Sequence, residues 1–247
     1  MKSDRPIVPT PLVHTAQHTR TLRFSYSAIQ SRMDLRHPDA LNLDYTRLMM
    51  GFLLLCANPP RIAMIGLGGG SLAKFCHRYL PATDITVVEI SAAVIATREV
   101  FRVPAESERF RVLQADGAAF IAEQSAAFEV LLVDGYDQHG LAPSLGSDVF
   151  YRACANALVG GGVLVVNLNL DEGHSAQQLD AIQRSFLQQG FAVTGTGKAN
   201  RVVFAQKSEA ATSIALPLRR PDGFDAEAWQ MLRRALSRVQ QAARAAG

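Results

Sequence analysis

A chain of 247 residues with 48% hydrophobic and 19% charged side chains is long enough for one full α/β core with a small appendage. Its net charge is only +3, and much of the basic excess sits at the end (Arg219, Arg220, Arg233, Arg234, Arg238, Arg244), which makes a nucleic-acid partner a poor reading. Three scattered cysteines, Cys56, Cys76 and Cys154, show no CxxC spacing and argue for reduced thiols and a cytoplasmic home, with no disulfide and no metal. The most apolar run, residues 48–57, is too short to span a bilayer, which takes about 20 residues, so no membrane association is expected. The polar N-terminus, with Pro6, Pro9 and Pro11, has no apolar signal core.

In chain order, residues 1–20 read as a flexible lead-in. The segment TLRFSYSAIQSRMDL (21–35) alternates in parts and suits a short hairpin. LDYTRLMMGFLLLCA (43–57) reads as a helix stopped by Asn58-Pro59-Pro60. From Arg61 the rhythm becomes strand, turn, helix. RIAMIG (61–66), ITVVEI (85–90), FRVLQAD (110–116), FEVLLVD (128–134) and GVLVVNLN (162–169) are apolar runs of strand length, as in a parallel sheet covered on both faces. Helical stretches lie near 71–80, 91–101, 117–125, 147–159 and 175–189. FAVTGT (191–196) and RVVFAQK (201–207), joined by a short turn, suit an antiparallel pair. The pattern predicts an α/β fold, a Rossmann-like doubly wound, mostly parallel sheet with one antiparallel strand. The expected boundaries are the lead-in over 1–20, a small β-hairpin and helix region over 21–58, the Rossmann-like domain over 59–210 and an extension over 211–247. In that extension Trp229, Leu232, Leu236 and Val239 recur at helical steps, either packing on their own domain or meeting a partner.

The first strand of the series runs into Gly66-Leu67-Gly68-Gly69-Gly70-Ser71 and a helix. Glycines let this backbone turn tightly and approach a ligand, while free N–H groups at the helix start offer hydrogen bonds. Glu89 ends the next strand 23 residues after Gly66, followed by Ile90, where a carboxylate can accept hydrogen bonds from both ribose hydroxyls. Asp116-Gly117 follows the third strand, where a carboxylate can receive an adenine amino group. A glycine-rich turn alone also occurs for packing; three consecutive furnished strand tips point to an adenosine site. A nicotinamide dinucleotide would use the first two features, but requires neither Asp116-Gly117 nor the acidic pair after strand four. That pair is Asp134 and Asp137, in Val133-Asp134-Gly135-Tyr136-Asp137, at the carboxyl end of a strand. Two carboxylates there can hold a cationic amine and take its proton, which an amine must lose before attacking a sulfonium carbon. The plainer alternative is that Asp134 caps a turn with Gly135.

From about Phe24 to Lys207 the chain resembles spermidine synthase and its relatives, the polyamine aminopropyltransferases. The stretches that carry the likeness are IGLGGGSL for the glycine-rich loop, VVEIS for the ribose-binding strand, QADGAAF for the adenine-binding Asp-Gly and VDGYD for the family's Asp-Ser-Ser-Asp loop. ALVGGGVLVV, AIQSR and LDYTRLMM add to it. The resemblance implies the class I methyltransferase type of fold, with Gly66, Gly68, Gly69, Gly70, Glu89, Ile90, Asp116, Gly117 and Asp134 at the donor. It further implies Asp134 as catalytic base, Asp137 holding the amine, Tyr136 beside it, Tyr45 and Arg47 facing the substrate, and a homodimer.

Two departures bear on the substrate. The family's glycine loop carries an aspartate that anchors the aminopropyl amine, and here that position is Gly69. Its N-terminal helix carries Tyr, then His or Gln, then Glu; here Tyr45 is followed by Thr46 and Arg47. Like charges about 4 Å apart repel by roughly 4 kcal/mol at an effective dielectric near 20, so an inward Arg47 rejects an ordinary diamine, whereas Arg47 on a solvated face does nothing. Gly69 also removes a carboxylate that would repel the carboxylate of S-adenosylmethionine, so the donor is either that molecule or its decarboxylated form. His139 on the long loop can shuttle a proton or sit in solvent, and Pro143 and Gly146 suit a loop over 135–146 that covers the donor. Three functions follow: aminopropyl or related alkyl transfer to a small-molecule amine, methyl transfer on the same scaffold, and a non-catalytic nucleoside-binding scaffold.

Overall fold

The computed structural model describes residues 10–24, 29–137 (of Asp137 the backbone), 140–170, 173–197, 199–207, 214 and 218–246. Strands β1 (Leu12–Ala16), β2 (Thr19–Arg23) and β3 (Ser31–Asp34) form an antiparallel sheet. Helix α1 (Asp44–Met49) runs into a 3₁₀ turn, Met50–Leu54. The alternating series follows: β4 (Arg61–Ile65), α2 (Ser71–Tyr79), β5 (Asp84–Glu89), α3 (Ala92–Ile95), β6 (Phe110–Gln114), α4 (Gly117–Ala122) and β7 (Phe128–Val133). A two-rung ladder of β8 (Tyr136–Asp137) and β9 (Gly140–Leu141) precedes α5 (Asp148–Ala157), β10 (Leu158–Asn169), α6 (Ser175–Ser185), β11 (Gly190–Thr194), β12 (Asn200–Gln206) and α7 (Ala226–Ala246).

Side chains alternate across the strands. Ile62 and Met64 of β4 enter one buried cluster, with α2 and α7, while Ala63 and Ile65 enter another, with α5 and α6. Apolar residues on both faces demand cover on both sides, and that places the sheet at the centre of a three-layer α/β/α stack. Its order is β11-β12-β10-β7-β4-β5-β6, and β12 alone runs against the rest. The expected mostly parallel sheet with one reversed strand is therefore the observed one.

Three local expectations are corrected. Residues 12–16, placed in a flexible lead-in, form β1 and pair with β2 from Leu12↔Arg23 to Ala16↔Thr19. All five β1 side chains are exposed, so burial left no alternation to reveal the strand. The helix expected over 43–57 changes to 3₁₀ after Met49, where a Cβ on Gly51 would lie 2.8 Å from both Phe204 and Val239. The stretch near 91–101 is helical only over Ala92–Ile95 and continues in turns. The amphipathic tail packs on its own chain: Leu232, Leu236 and Val239 of α7 bury in the cluster that holds Leu48, Phe52 and Phe204.

The small sheet rests on the large one through an uncommon group. Lys74 of α2 is 1% exposed, and its ammonium donates to the Phe101 carbonyl at 2.8 Å and to the Met33 sulfur of β3 at 3.1 Å. Burial pulls its pKa down to about 8. Because the unfolded chain binds this proton more tightly than the folded one, stability rises with pH between the two values. Unfolding of the wild type followed from pH 7 to pH 10 is expected to show that rise beginning near pH 8, and Lys74→Met is expected to flatten it. An unchanged rise in the variant would assign it to another group.

Candidate active site

The order of the sheet reverses between β4 and β7, and in open α/β sheets the crevice for ligands opens at the carboxyl ends of the strands on either side of such a point. A cavity of about 940 Å³ lies there, within the range of small-molecule sites. Gly66, Gly68 and Gly69 line it from the β4 tip, Glu89 and Ile90 from β5, Asp116 and Gly117 from β6, and Asp134 and Tyr136 from β7. Tyr45 and Thr46 of α1, Ser31 of β3 and the turn at Ala142–Leu145 complete the wall. The strand tips singled out by sequence therefore converge on one space.

Gly66 is the hinge of the loop. Its φ of +98° suits glycine, and any Cβ would collide with the Asp134 carbonyl oxygen. Glu89 holds the same loop from the other side. One carboxylate oxygen accepts from the Leu67 amide and the other from the Ser91 amide, both at 2.9 Å, so a single buried side chain ties the turn after β4 to the turn after β5. Each oxygen keeps a further lone pair for a ribose hydroxyl. Asp116 caps α4, accepting from the Ala119 amide at 2.9 Å.

Asp134 is the centre of a polar network that spans four elements. One oxygen accepts from the Tyr45 hydroxyl at 3.1 Å, the other from the Asn167 amide at 2.9 Å. The Asn167 side-chain oxygen in turn accepts from Asn200 at 3.1 Å. Burial pushes the Asp134 carboxyl above its ordinary value, and the bonds from Asn167 and Tyr45 only partly offset it. Burial and the neighbouring carboxylate hold the Tyr45 phenol well above the ordinary tyrosine value, so it stays a proton donor in the hydrogen bond.

Tyr136 lines the cavity, but its hydroxyl is turned to the sheet. It donates to the Asn167 carbonyl and accepts from the Asn169 amide, both at 2.8 Å. The last pair between β10 and β7 is Val166↔Val133, and beyond it the Tyr136 phenol satisfies the next backbone groups of β10.

Some expected site residues fall elsewhere. Arg47 does not line the cavity: it lies 3.6 Å from Asp44, one turn back on the helix, and donates to the Leu41 carbonyl, so the predicted charge reversal at the substrate is absent. Gly70 is outside the wall as well, capping α2 beneath Val103. The Asp137 side chain and His139 lie outside the described residues. Gly69 lines the cavity, yet a Cβ there would lie 2.5 Å from the Ser31 hydroxyl and 2.9 Å from Phe101, so the small sheet fills the space that a side chain would need. The sequence reading missed Asn167 and Asn200. Asn167 did carry a signal, as a polar residue inside an otherwise apolar strand buried on both faces. Among the described residues, no group of three or more His, Cys, Asp or Glu could hold a metal ion, and no helix is long and apolar enough to cross a membrane.

The fold and site together define a Rossmann-like protein with a carboxylate on the wall of its strand-tip cavity. The family model for the spermine/spermidine synthase domain matches residues 43–190, more than half of the chain, and the chain belongs to that family. A polyamine aminopropyltransferase of Neisseria meningitidis serogroup A is 43% identical over 150 residues, covering 60% of this chain and 57% of that relative. The chain thus spans little more than half the length of the relative it matches. Among solved structures, a probable spermidine synthase from Corynebacterium glutamicum aligns over 90% of this chain and 82% of its own, with a TM-score of 0.70 at 17% identity. A spermidine synthase in complex with the transition state analogue AdoDATO aligns over 92% and 87%, with a TM-score of 0.61 at 15% identity. At those identities the likeness is one of fold.

Glu89→Gln tests the double role of the carboxylate. The amide offers one acceptor where two amides and a ribose need a carboxylate, so binding of methylthioadenosine, measured by calorimetry, is expected to weaken about 10- to 100-fold. The variant is also expected to unfold about 1–3 kcal/mol more easily. Unchanged affinity would remove Glu89 from the nucleoside site.

Proposed function

We propose that this chain transfers an aminopropyl group from decarboxylated S-adenosylmethionine to a small-molecule amine. The observation that carries the proposal is Asp134, a carboxylate on the wall of the cavity, pinned by Tyr45 and Asn167 and adjoining the turn that carries Gly66. Membership of the spermine/spermidine synthase family supports the same reading. On this proposal Gly66, Gly68 and Gly69 approach the donor closely, Glu89 takes the ribose hydroxyls, Asp116 the adenine amino group, and Ile90 and Gly117 the faces of the base. Asp134 takes a proton from the attacking ammonium, and Asp137 holds the amine.

The amine nitrogen then attacks the methylene carbon next to the sulfonium. A carbon–nitrogen bond forms, the carbon–sulfur bond breaks, and its electron pair returns to sulfur, which leaves as a neutral thioether. The proton ends on Asp134 and passes to solvent. A base whose carboxyl lies above the ordinary carboxylate value is closer to neutrality and so better matched to this task. Residence in the cytoplasm is supported by three free thiols, two of them buried, which suit a reducing compartment. Pairing as a homodimer rests on the family resemblance alone.

Asp134→Asn is expected to bind the donor within about threefold of the wild type and to lose at least about 100-fold in turnover. In the wild type kcat/KM is expected to fall as pH drops through the raised Asp134 value, because the base must be ionised to accept a proton. That limb should vanish in the variant. Full activity of Asp134→Asn would remove Asp134 as base, and a methylated product from ordinary S-adenosylmethionine would replace aminopropyl transfer with methyl transfer.

A further inference from the structure

We propose that Asn200, on the reversed strand β12, is a positioning residue that acts on the base through Asn167 by deciding which end of that amide meets Asp134. The proposal rests on the reading of Asp134 as the base. A carboxamide has a donor end and an acceptor end of nearly the same size, so packing alone cannot orient it. With the NH₂ group toward Asp134, Asn167 stabilises the ionised carboxylate. With the oxygen toward Asp134, lone pairs face lone pairs unless the carboxyl is protonated, and a protonated Asp134 has no site for the proton of the amine.

The backbone of Asn167 is already fixed. Its carbonyl accepts from Tyr136, and β10 pairs with β12 from Val163↔Gln206 to Asn169↔Asn200. The amide is 2% exposed, so water does not choose its orientation. What chooses is Asn200, whose side-chain NH₂ donates to the Asn167 oxygen at 3.1 Å and so turns the Asn167 NH₂ onto Asp134 at 2.9 Å. Asn200 stays outside the cavity wall, and its influence on the reaction passes through Asn167 alone. Among the described residues, the titratable groups that face this carboxylate are Tyr45 from α1 and, beside Tyr45, Tyr136 from the β7 tip. Tyr45 is held as a donor, which leaves the amide as the element with two settings.

Two substitutions at one position separate orientation from packing. Asn200→Leu removes the donor and frees the amide. Asn200→Asp keeps the shape but offers only acceptors, which draws the Asn167 NH₂ toward residue 200 and sends its oxygen to Asp134. A structural role leaves the Asp134 carboxyl unmoved in the neutral Leu variant, whereas the relay raises it there; Asp adds to that rise both the turned amide and the repulsion of its own charge. The readout is the ¹³C carboxyl titration of Asp134 in the free protein, assigned by its loss in Asp134→Asn, together with kcat, KM and donor affinity.

The expected result is a midpoint raised in Asn200→Leu and raised further, by about one pH unit or more, in Asn200→Asp. In the latter kcat at a pH below the new midpoint should fall about tenfold, with donor affinity within twofold. Midpoints that stay in place, or a larger effect from Leu than from Asp, would overturn the relay. If Asn200→Asp does not fold, the Leu variant decides alone: a raised midpoint supports the relay and an unmoved one ends it. Midpoints that shift as expected in a protein that transfers no aminopropyl group would leave the relay standing and overturn the reaction.

Discussion

The hydrogen bond from the Asp134 amide to the Ile65 carbonyl, at 2.9 Å, joins the two halves of the molecule. It is the last rung between β4 and β7, the pair at which the order of the sheet reverses. Beyond it the two chains must part, one toward β5 and one toward β10. They leave so close together that residue 66 has no room for a side chain, and the Gly66 amide turns at once to the Val88 carbonyl at 2.8 Å. The glycine-turn side of the cavity and its Asp134 side are therefore separated by the width of a peptide backbone. A glycine is the only residue that meets both the spacing and the φ of +98°.

That geometry has an electrostatic consequence. A carboxylate placed where two strands part is partly withdrawn from water, and its folded value rises above the unfolded one. The sign is unfavourable: an ionised Asp134 subtracts from stability at neutral pH, and this loss disappears in acid. The bonds from Tyr45 and Asn167 reduce the loss without removing it. Glu89 shows the contrast. Its two oxygens accept backbone amides that are themselves fixed by the strand ends, and so the side chain ties two turns of the fold together. One acid is held by backbone amides, and the other by the Tyr45 and Asn167 side chains.

Features that follow from local pattern could be read from the sequence. The strands of the large sheet are apolar on both faces, and its glycine turn and acidic strand tips repeat at intervals set by the βα unit, so the sheet, its reversed strand and the positions of Glu89, Asp116 and Asp134 were legible. Features set by tertiary approach were not. β1 buries none of its side chains and leaves no period to find. Arg47 was placed at the substrate by analogy along a helix, but a turn of only six residues presents few side chains inward, and the nearer Asp44 carboxylate captured it. Asn200 opens β12 next to Arg201, where nothing in the sequence marks it as the partner of Asn167.

The residues that support the site reach past the span shared with the family, which ends at residue 190. Helix α1 carries Tyr45, yet six residues without a side-chain cap at Leu43 do not hold a helix in water. Its C-terminal half is held by Leu48 and Met49 in the core, and its first turn by Asp44. Burial alone would raise this carboxyl, but the Thr196 amide at 2.7 Å and the Arg238 guanidinium at 3.1 Å outweigh it and keep it charged below its ordinary value. Negative charge at a helix start is favoured by the helix dipole, so the same carboxylate fixes both the helix and its attachment. Arg238 belongs to α7, and it also donates to the Thr194 carbonyl of β11. The Tyr45 hydroxyl thus reaches Asp134 because a helix near the end of the chain clamps α1 to the far edge of the sheet. The C-terminal extension is a structural support of the cavity wall, joined to α1 by the Asp44–Arg238 pair and by the apolar packing of Leu48 and Met49 with Leu232, Leu236 and Val239.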